Sequence, residues 1–251
     1  MINVAALWRH PIKSHGREAM DQVALTVGQT IPFDRAWAVM HEASKFDTAA
    51  PEWVTCANFM IGSGTPALAG IWAQLDEASG NITLTHQALG DIRFNPDDPA
   101  DAARFLDWVR PLCSADKRQP IGLAKVPERG MTDTDYPSVS VMTMSSHQAV
   151  EDQIGDPLET ARWRGNIWLD GAAAWQEMDW LGKTLRIGDA MLELIEPIKR
   201  CKHTMANPQT GARDADTLAA LHGGWGHQHF GVYAKVIQNG RITLNEKVEV
   251  I

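Results

Sequence analysis

The chain has little cysteine, little tyrosine and a deficit of positive charge. Its three cysteines, Cys56, Cys113 and Cys201, are far apart among 251 residues. They are odd in number and contain no CxxC pair, so neither a disulfide framework nor a zinc or iron–sulfur cage is indicated. Reduced thiols in a cytoplasmic setting are the simplest reading. Lys and Arg number 23 against 31 Asp and Glu, a net charge of −8. That excludes a general nucleic-acid binder, whose phosphate contacts need a basic face, and leaves room for a small anionic ligand in a local cationic pocket. No window approaches the roughly 20 apolar residues that span a bilayer. The opening "MINVAALWRHPIKS" lacks the basic n-region, long apolar core and cleavage site of a signal peptide. The expectation is a cytoplasmic protein without a membrane partner. Two tyrosines stand against ten tryptophans, which are expected as core fillers and groove walls.

What is present is a well-mixed globular composition, 44% hydrophobic and 22% charged, long enough for one large domain or two modest ones. Strand-like alternation runs through "INVAALWRHPI", "DQVALTVGQTI" and "DRAWAVMHEA". "GIWAQLDEASGNITLTHQ" reads as a hairpin turning at Ser79-Gly80-Asn81, and "DIRFNP" as a short strand. Helices are predicted over 99–112, from the serines at 145 to Gly155, and in "DADTLAALHG", closed by Gly223. Asn239-Gly240, between two alternating runs, predicts a hairpin near the C-terminus. Short strands outnumber helices, so the fold class is mostly β with a few helices: an antiparallel β-barrel plus an N-terminal β-rich portion. The seam falls near 110–130, giving domains of 1–115 and 116–251.

Chemistry-bearing residues gather in three segments. In "LIEPIKRCKHTMANPQTG" Cys201 has Lys199 and Arg200 before it and Lys202 and His203 after it, and a turn-rich stretch follows. Neighbouring cations favour the thiolate, the form that acts as nucleophile and metal ligand. "HPIKSHGRE" carries Lys13, Ser14 and Arg17 at the end of the first strand, and "ARWRGNIWLDG" carries Arg162, Arg164 and Asn166 before another. Lysine, serine and paired arginines hold phosphate through charge-assisted bonds. Each segment alone is more often a solvated surface patch, and three at strand ends in an acidic chain say more than one. Cys56 and Cys113 lack such neighbours and read as packing cysteines. His222, His227 and His229 read as a loop rimming a substrate entrance, and "IGSGTPALAG" as a plain loop, without the lysine of a phosphate loop.

The order "HPIKS … FDRAWAV … RWRGNIWLDG … IKRCKHTMANPQTG … FGVYAKVIQNGRI" resembles the MOSC family, named after the C-terminal domain of molybdenum cofactor sulfurase. It is similar in particular to the longer members with an N-terminal β-barrel portion, relatives of the mitochondrial amidoxime-reducing component. The resemblance implies that Cys201 is the protein thiolate on the molybdenum of a molybdopterin cofactor, or a sulfur carrier. It implies that Lys13, Ser14 and Arg35 hold the pterin's phosphate. Arg164 and Asn166 would contact the pterin, with Arg200 beside the metal ligand and further contacts around Asp135 and Tyr136. It also implies an oxidoreductase acting on small N-hydroxylated or N-oxide-type substrates. With no ferredoxin-like cysteine cluster, its electrons would come from a separate ferredoxin- or flavin-type protein. The alternative is a persulfide carrier or cofactor-delivery protein. The chain departs from the family at His10, often tyrosine, at Gly165, often proline, and at Lys199, more often small or polar.

Overall fold

A computed structural model describes residues 1–251. The N-terminal half contains β1 (Asn3–Arg9), β2 (Glu18–Met20), β3 (Gln22–Leu25), β4 (Ala38–His41), β5 (Trp72–Asp76), β6 (Asn81–His86), β7 (Gly90–Phe94) and helix α1 (Pro99–Val109). After β8 (Pro120–Ala124) come β9 (Val139–Thr143), α2 (Met144–Ile154), β10 (Ile167–Asp170), β11 (Thr184–Ile187), β12 (Ala190–Lys199) and α3 (Thr217–Trp225). The chain ends with β13 (His229–Gln238), β14 (Gly240–Thr243) and β15 (Val248–Val250). No helix is long and apolar enough to cross a membrane.

The main sheet has eight strands in the order β15-β11-β12-β13-β9-β10-β1-β2. All its pairings are antiparallel except β9–β10, which α2 joins as a crossover. The sheet curls until its ends meet: Asn3 bridges Lys247, and Val248 N donates to Ile2 O at 2.9 Å. An irregularity in β1 between Val4 and Ala6 lets one strand serve β10, the closing seam and β2. Inside the barrel lie alternate apolar residues such as Leu7, Val141, Ile167, Leu192, Leu194, Val232 and Ala234, all fully or nearly fully buried. Period-two alternation explains this: residues i and i+2 share a sheet face.

A second apolar cluster joins Ile12, Trp37 and Val39 to the β5–β6–β7 meander and to Phe105 and Val109 of α1. Phe105 stacks on Phe94 with ring centroids 4.7 Å apart. Asp98 caps α1 by accepting from Ala100 N and Asp101 N, with Pro99 in its first turn. Cys113 packs against this cluster.

The sheets run across residues 115/116: β1 and β2 belong to the main sheet, β3 pairs with β14 and β4 with β8. Two expectations need correction. Asn239-Gly240 is a corner rather than a hairpin: β13 stays between β12 and β9, while β14 leaves to pair with β3. Gly240 lies against the backbone of Ala190, where a Cβ would clash, and the Asn239 side chain accepts from Val27 N at 2.7 Å. Helix α3 runs through Gly223 and ends at Gly226, whose φ of 74° supplies the left-handed cap.

Candidate functional site

Where β12 ends, the loop after β1 and the loop before β10 converge with the 56–63 segment on one cleft of about 110 Å³. Lys13, Ser14, Arg35, Arg164, Arg200 and Cys201 all line it. Cys201 is exposed, the residue after Arg200 at the end of β12. Its carbonyl accepts from Thr204 Oγ1 at 3.1 Å, and Thr204 is tied to Thr217 of α3 at 2.6 Å, which fixes the turn behind the thiol. The following Asn-Pro-x-Thr-Gly stretch is structural. Asn207 Oδ1 accepts from Gln209 N and Thr210 N, and Gly211, at φ 72°, leaves no room for a Cβ beside Ala67. Pro208 O accepts from Arg17, buried under Trp72 with its guanidinium 4.0 Å from the ring.

The cleft is strongly unbalanced in charge. Lys13, Arg35, Arg162, Arg164, Lys199 and Arg200 line it, against Asp133 as the one lining carboxylate. Lys13 Nζ donates to Met131 O at 2.8 Å and to Asp133 Oδ1 at 2.5 Å. Arg35 pairs with buried Asp34 and donates to Arg164 O at 3.0 Å. Arg162 is held by Glu159 and Asp214. Arg164 and Arg200 form no ion pair. Burial first, then Arg35 and Arg17, push the Arg164 pKa down to about 9, and burial pushes Arg200 to about 10. A guanidinium keeps its proton at neutral pH, so both side chains stay charged although desolvated, with Asp133 offsetting part of that cost.

Backbone conformation adds a second mark. Ser14, Arg35 and Arg164 are non-glycine residues at φ 63°, 53° and 50°. Each left-handed residue costs on the order of 1 kcal/mol or more, a strain that tends to gather where side chains are aimed at a ligand. Arg164 Nη2 donates to Gly16 O at 3.1 Å, which ties the loop before β10 to the loop after β1.

Other expected residues stand differently. Arg200 lines the cleft, but its guanidinium donates to Phe230 O and Trp163 O at 2.5–2.9 Å and lies over both rings, so it positions the end of β12. Asn166 sits one layer back: its Oδ1 accepts from Ser140 N and Oγ, and its Nδ2 donates to Trp8 O, knitting β9 and β1 to the entry of β10. Asp135 and Tyr136 do not line the cleft. Asp135 is exposed, and Tyr136 reaches the other way, donating to Glu196 Oε1 at 2.7 Å under Lys235. Asp133 and Tyr233 take their places on the wall. His222, His227 and His229 lie outside the cleft; His227 packs on Trp175 instead.

Sequence reasoning missed Cys56 as a cleft residue and counted His203 only among the cations flanking Cys201; both face the cleft. His203 is buried and held neutral, its pKa lowered to about 3 by burial and Arg164. Burial, then Asp133, pushes the Cys56 thiol up. The 56–62 segment rests on His203, because a Cβ at Gly62 would overlap its ring. Nothing near Cys56 in sequence signals this; its place is set by Met60, whose N donates to Val39 O of β4 at 2.7 Å.

The MOSC N-terminal beta barrel domain matches residues 1–108 and the MOSC domain matches residues 130–249. The chain belongs to the MOSC family. That family is linked to the molybdenum cofactor. No curated protein matches the chain. Among solved structures, the YUAD protein from Bacillus subtilis is 14% identical with a TM-score of 0.49, over 100% of this chain and 96% of that one. YiiM from Geobacillus stearothermophilus and YiiM from Escherichia coli are each 18% identical, with TM-scores of 0.35 and 0.32, over 45% of this MOSC chain and 53% of theirs.

Proposed function

We propose that the cleft holds a molybdenum cofactor with Cys201 as the protein's sulfur ligand, and that the chain is an oxidoreductase. Its substrates would be small N-hydroxylated or N-oxide-type molecules, and its electrons would come from a separate ferredoxin- or flavin-type protein. The observation that carries this reading is an exposed thiol in a cleft lined by six Lys and Arg side chains against a single carboxylate, Asp133. The residues present suit an anionic, phosphate-bearing group: Ser14 and Arg164 turn into the cleft from left-handed backbone, and Lys13 keeps a third N–H.

When bound, the cofactor supplies two-electron redox chemistry and the protein supplies orientation and electrostatics. Lys13, Ser14 and Arg35 would bind the phosphate, and Arg164 the pterin. Asn166 and Arg200 hold the strands that present these side chains. His203, held neutral by burial and then by Arg164, faces the same space. Soft thiolate is a suitable ligand type for such a metal.

The test is the molybdenum and pterin content per chain of protein made in a molybdate-supplied host, with Cys201→Ala alongside. Near-stoichiometric metal in the wild type, lost or loosened in the variant, supports the reading. The exposure of Cys201 equally suits a persulfide carrier. That second reading requires reductant-labile sulfur on Cys201 and no stoichiometric molybdenum.

A further inference from the structure

Of the three thiols, two share one space. Cys56 and Cys201 both line the cleft, whereas Cys113 packs beside α1 in the second apolar cluster. The segments that carry the pair lie in direct contact. Gly62 leaves room for the His203 ring, two residues after Cys201, and Arg213 Nη2 donates to Ser63 O at 2.6 Å across the same seam. Cys201 is exposed and Cys56 half-buried, so an oxidant in solvent meets Cys201 first. Neither residue belongs to a strand ladder: Cys56 opens a short 3₁₀ turn (Cys56–Asn58), and Cys201 immediately precedes another (Lys202–Met205). Both turns lie outside the sheet ladders, so drawing the two sulfurs into S–S geometry breaks no strand pairing.

We propose that Cys56 and Cys201 form a reversible dithiol–disulfide pair that responds to hydrogen peroxide. The Cys201 thiolate attacks one peroxide oxygen, the O–O bond breaks, and sulfenic acid forms with release of hydroxide. The Cys56 sulfur then attacks that sulfenic sulfur, its S–H proton leaves with the hydroxyl as water, and the S–S bond closes. Two thiols are oxidised by two electrons and one peroxide is reduced to two waters. A small dithiol reverses the step by exchange. In the oxidised state the Cys201 sulfur is no longer a free thiol, so a ligand that depends on that thiol loses it. The pairing rests on the placement of the two cysteines and is independent of what the cleft binds.

The experiment uses the full chain made in a host that cannot synthesise molybdopterin, treated with hydrogen peroxide, alkylated and digested without reductant. The expected result is loss of two of its three thiols, a peptide linking Cys56 to Cys201, and full recovery with dithiothreitol. Cys56→Ser and Cys56→Ala should instead accumulate the sulfinic acid on Cys201, which dithiothreitol does not reverse, while Cys113→Ser behaves as wild type. Sulfinic acid on Cys201 with Cys56 still a free thiol in the wild type would overturn the proposal. So would a dimer linked through Cys201, or retention of all three thiols. Molybdenum content is not a readout, so this test and that of the cofactor reading fail separately.

Discussion

Lys13 Nζ and Asp133 Oδ1 lie 2.5 Å apart although 120 residues separate them in the chain. The pair ties the loop after β1 to the approach to β9. Desolvation acts to raise the Asp133 carboxyl, but Lys13 outweighs it and holds the group below the usual carboxylate range. Asp133 also lowers the positive potential of the cleft. Asp133→Asn is expected to strengthen binding of inorganic phosphate by about threefold to tenfold at low salt, an effect that shrinks as salt rises. Because buried Lys13 loses its counterion, stability should fall by about 1–2 kcal/mol. Calorimetric titration and urea unfolding measure the two effects. Weaker phosphate binding by the variant would show that Asp133 does not oppose the anion.

Arg164 separates ligand binding from stability in the opposite sense. Its guanidinium has no ion-pair partner, its backbone is left-handed, and burial disfavours its charge. Arg164→Gln should weaken phosphate binding about tenfold or more, the contribution of a charge-assisted bond. Removing an uncompensated cation should leave the thermal midpoint of the ligand-free protein level or higher. A lowered midpoint with unchanged phosphate affinity would assign Arg164 to the fold alone.

The parts of this architecture legible in the sequence are those with local causes. The three cationic segments follow from residue type and position at strand ends, and their Lys13, Ser14, Arg164, Arg200 and Cys201 line one cleft together with Arg35, which only the family resemblance had named. Alternation gives most strands, and Pro99 with Asp101 and Gly155 mark the ends of helices α1 and α2. What was illegible depends on tertiary partners. Asn239-Gly240 has the composition of a hairpin, but β3 competes for β14 and Ile242 enters the barrel core. Asp133 and Asp135 look equivalent two residues apart, and only the irregular path around Thr134, whose hydroxyl donates to Tyr136 O at 2.6 Å, decides which faces Lys13. Cys56 reads as a packing residue because contacts from β4 and His203, rather than its neighbours, place it.

Gly62 tests the seam between those two parts. With no Cβ it allows the 56–62 segment to rest against the His203 ring. Gly62→Ala should force the segment and the ring apart and cost about 1–3 kcal/mol, the usual penalty for overpacking. It should also raise the reaction rate of Cys56 with a maleimide severalfold by opening its half-buried side, which timed alkylation and mass spectrometry resolve. An unchanged Cys56 rate and an unchanged unfolding midpoint would mean that the contact yields freely.

Acid stability carries the clearest sign. His15 is buried at the base of the site, with Nδ1 2.7 Å from Lys13 O and its ring edge-on to Phe105. Burial lowers its pKa from 6.5 to about 4, against the opposing hydrogen bond to Lys13. The unfolded chain therefore binds a proton at His15 between about pH 6.5 and 4 that the native protein refuses, so stability falls as pH falls through that window. The loss from His15 alone reaches about 3 kcal/mol near pH 4. Buried His10 acts in the same direction, and Asp34, whose carboxyl Arg35 and His10 hold low against burial, extends the decline below the ordinary carboxylate range. His15→Asn should reduce the slope of unfolding free energy against pH by about one proton between pH 6.5 and 4. It should leave the slope above pH 7 unchanged. Urea unfolding at pH 8.5, 7, 5.5 and 4.5 gives both slopes, and an undiminished slope between pH 7 and 4.5 in the variant would remove His15 as its source.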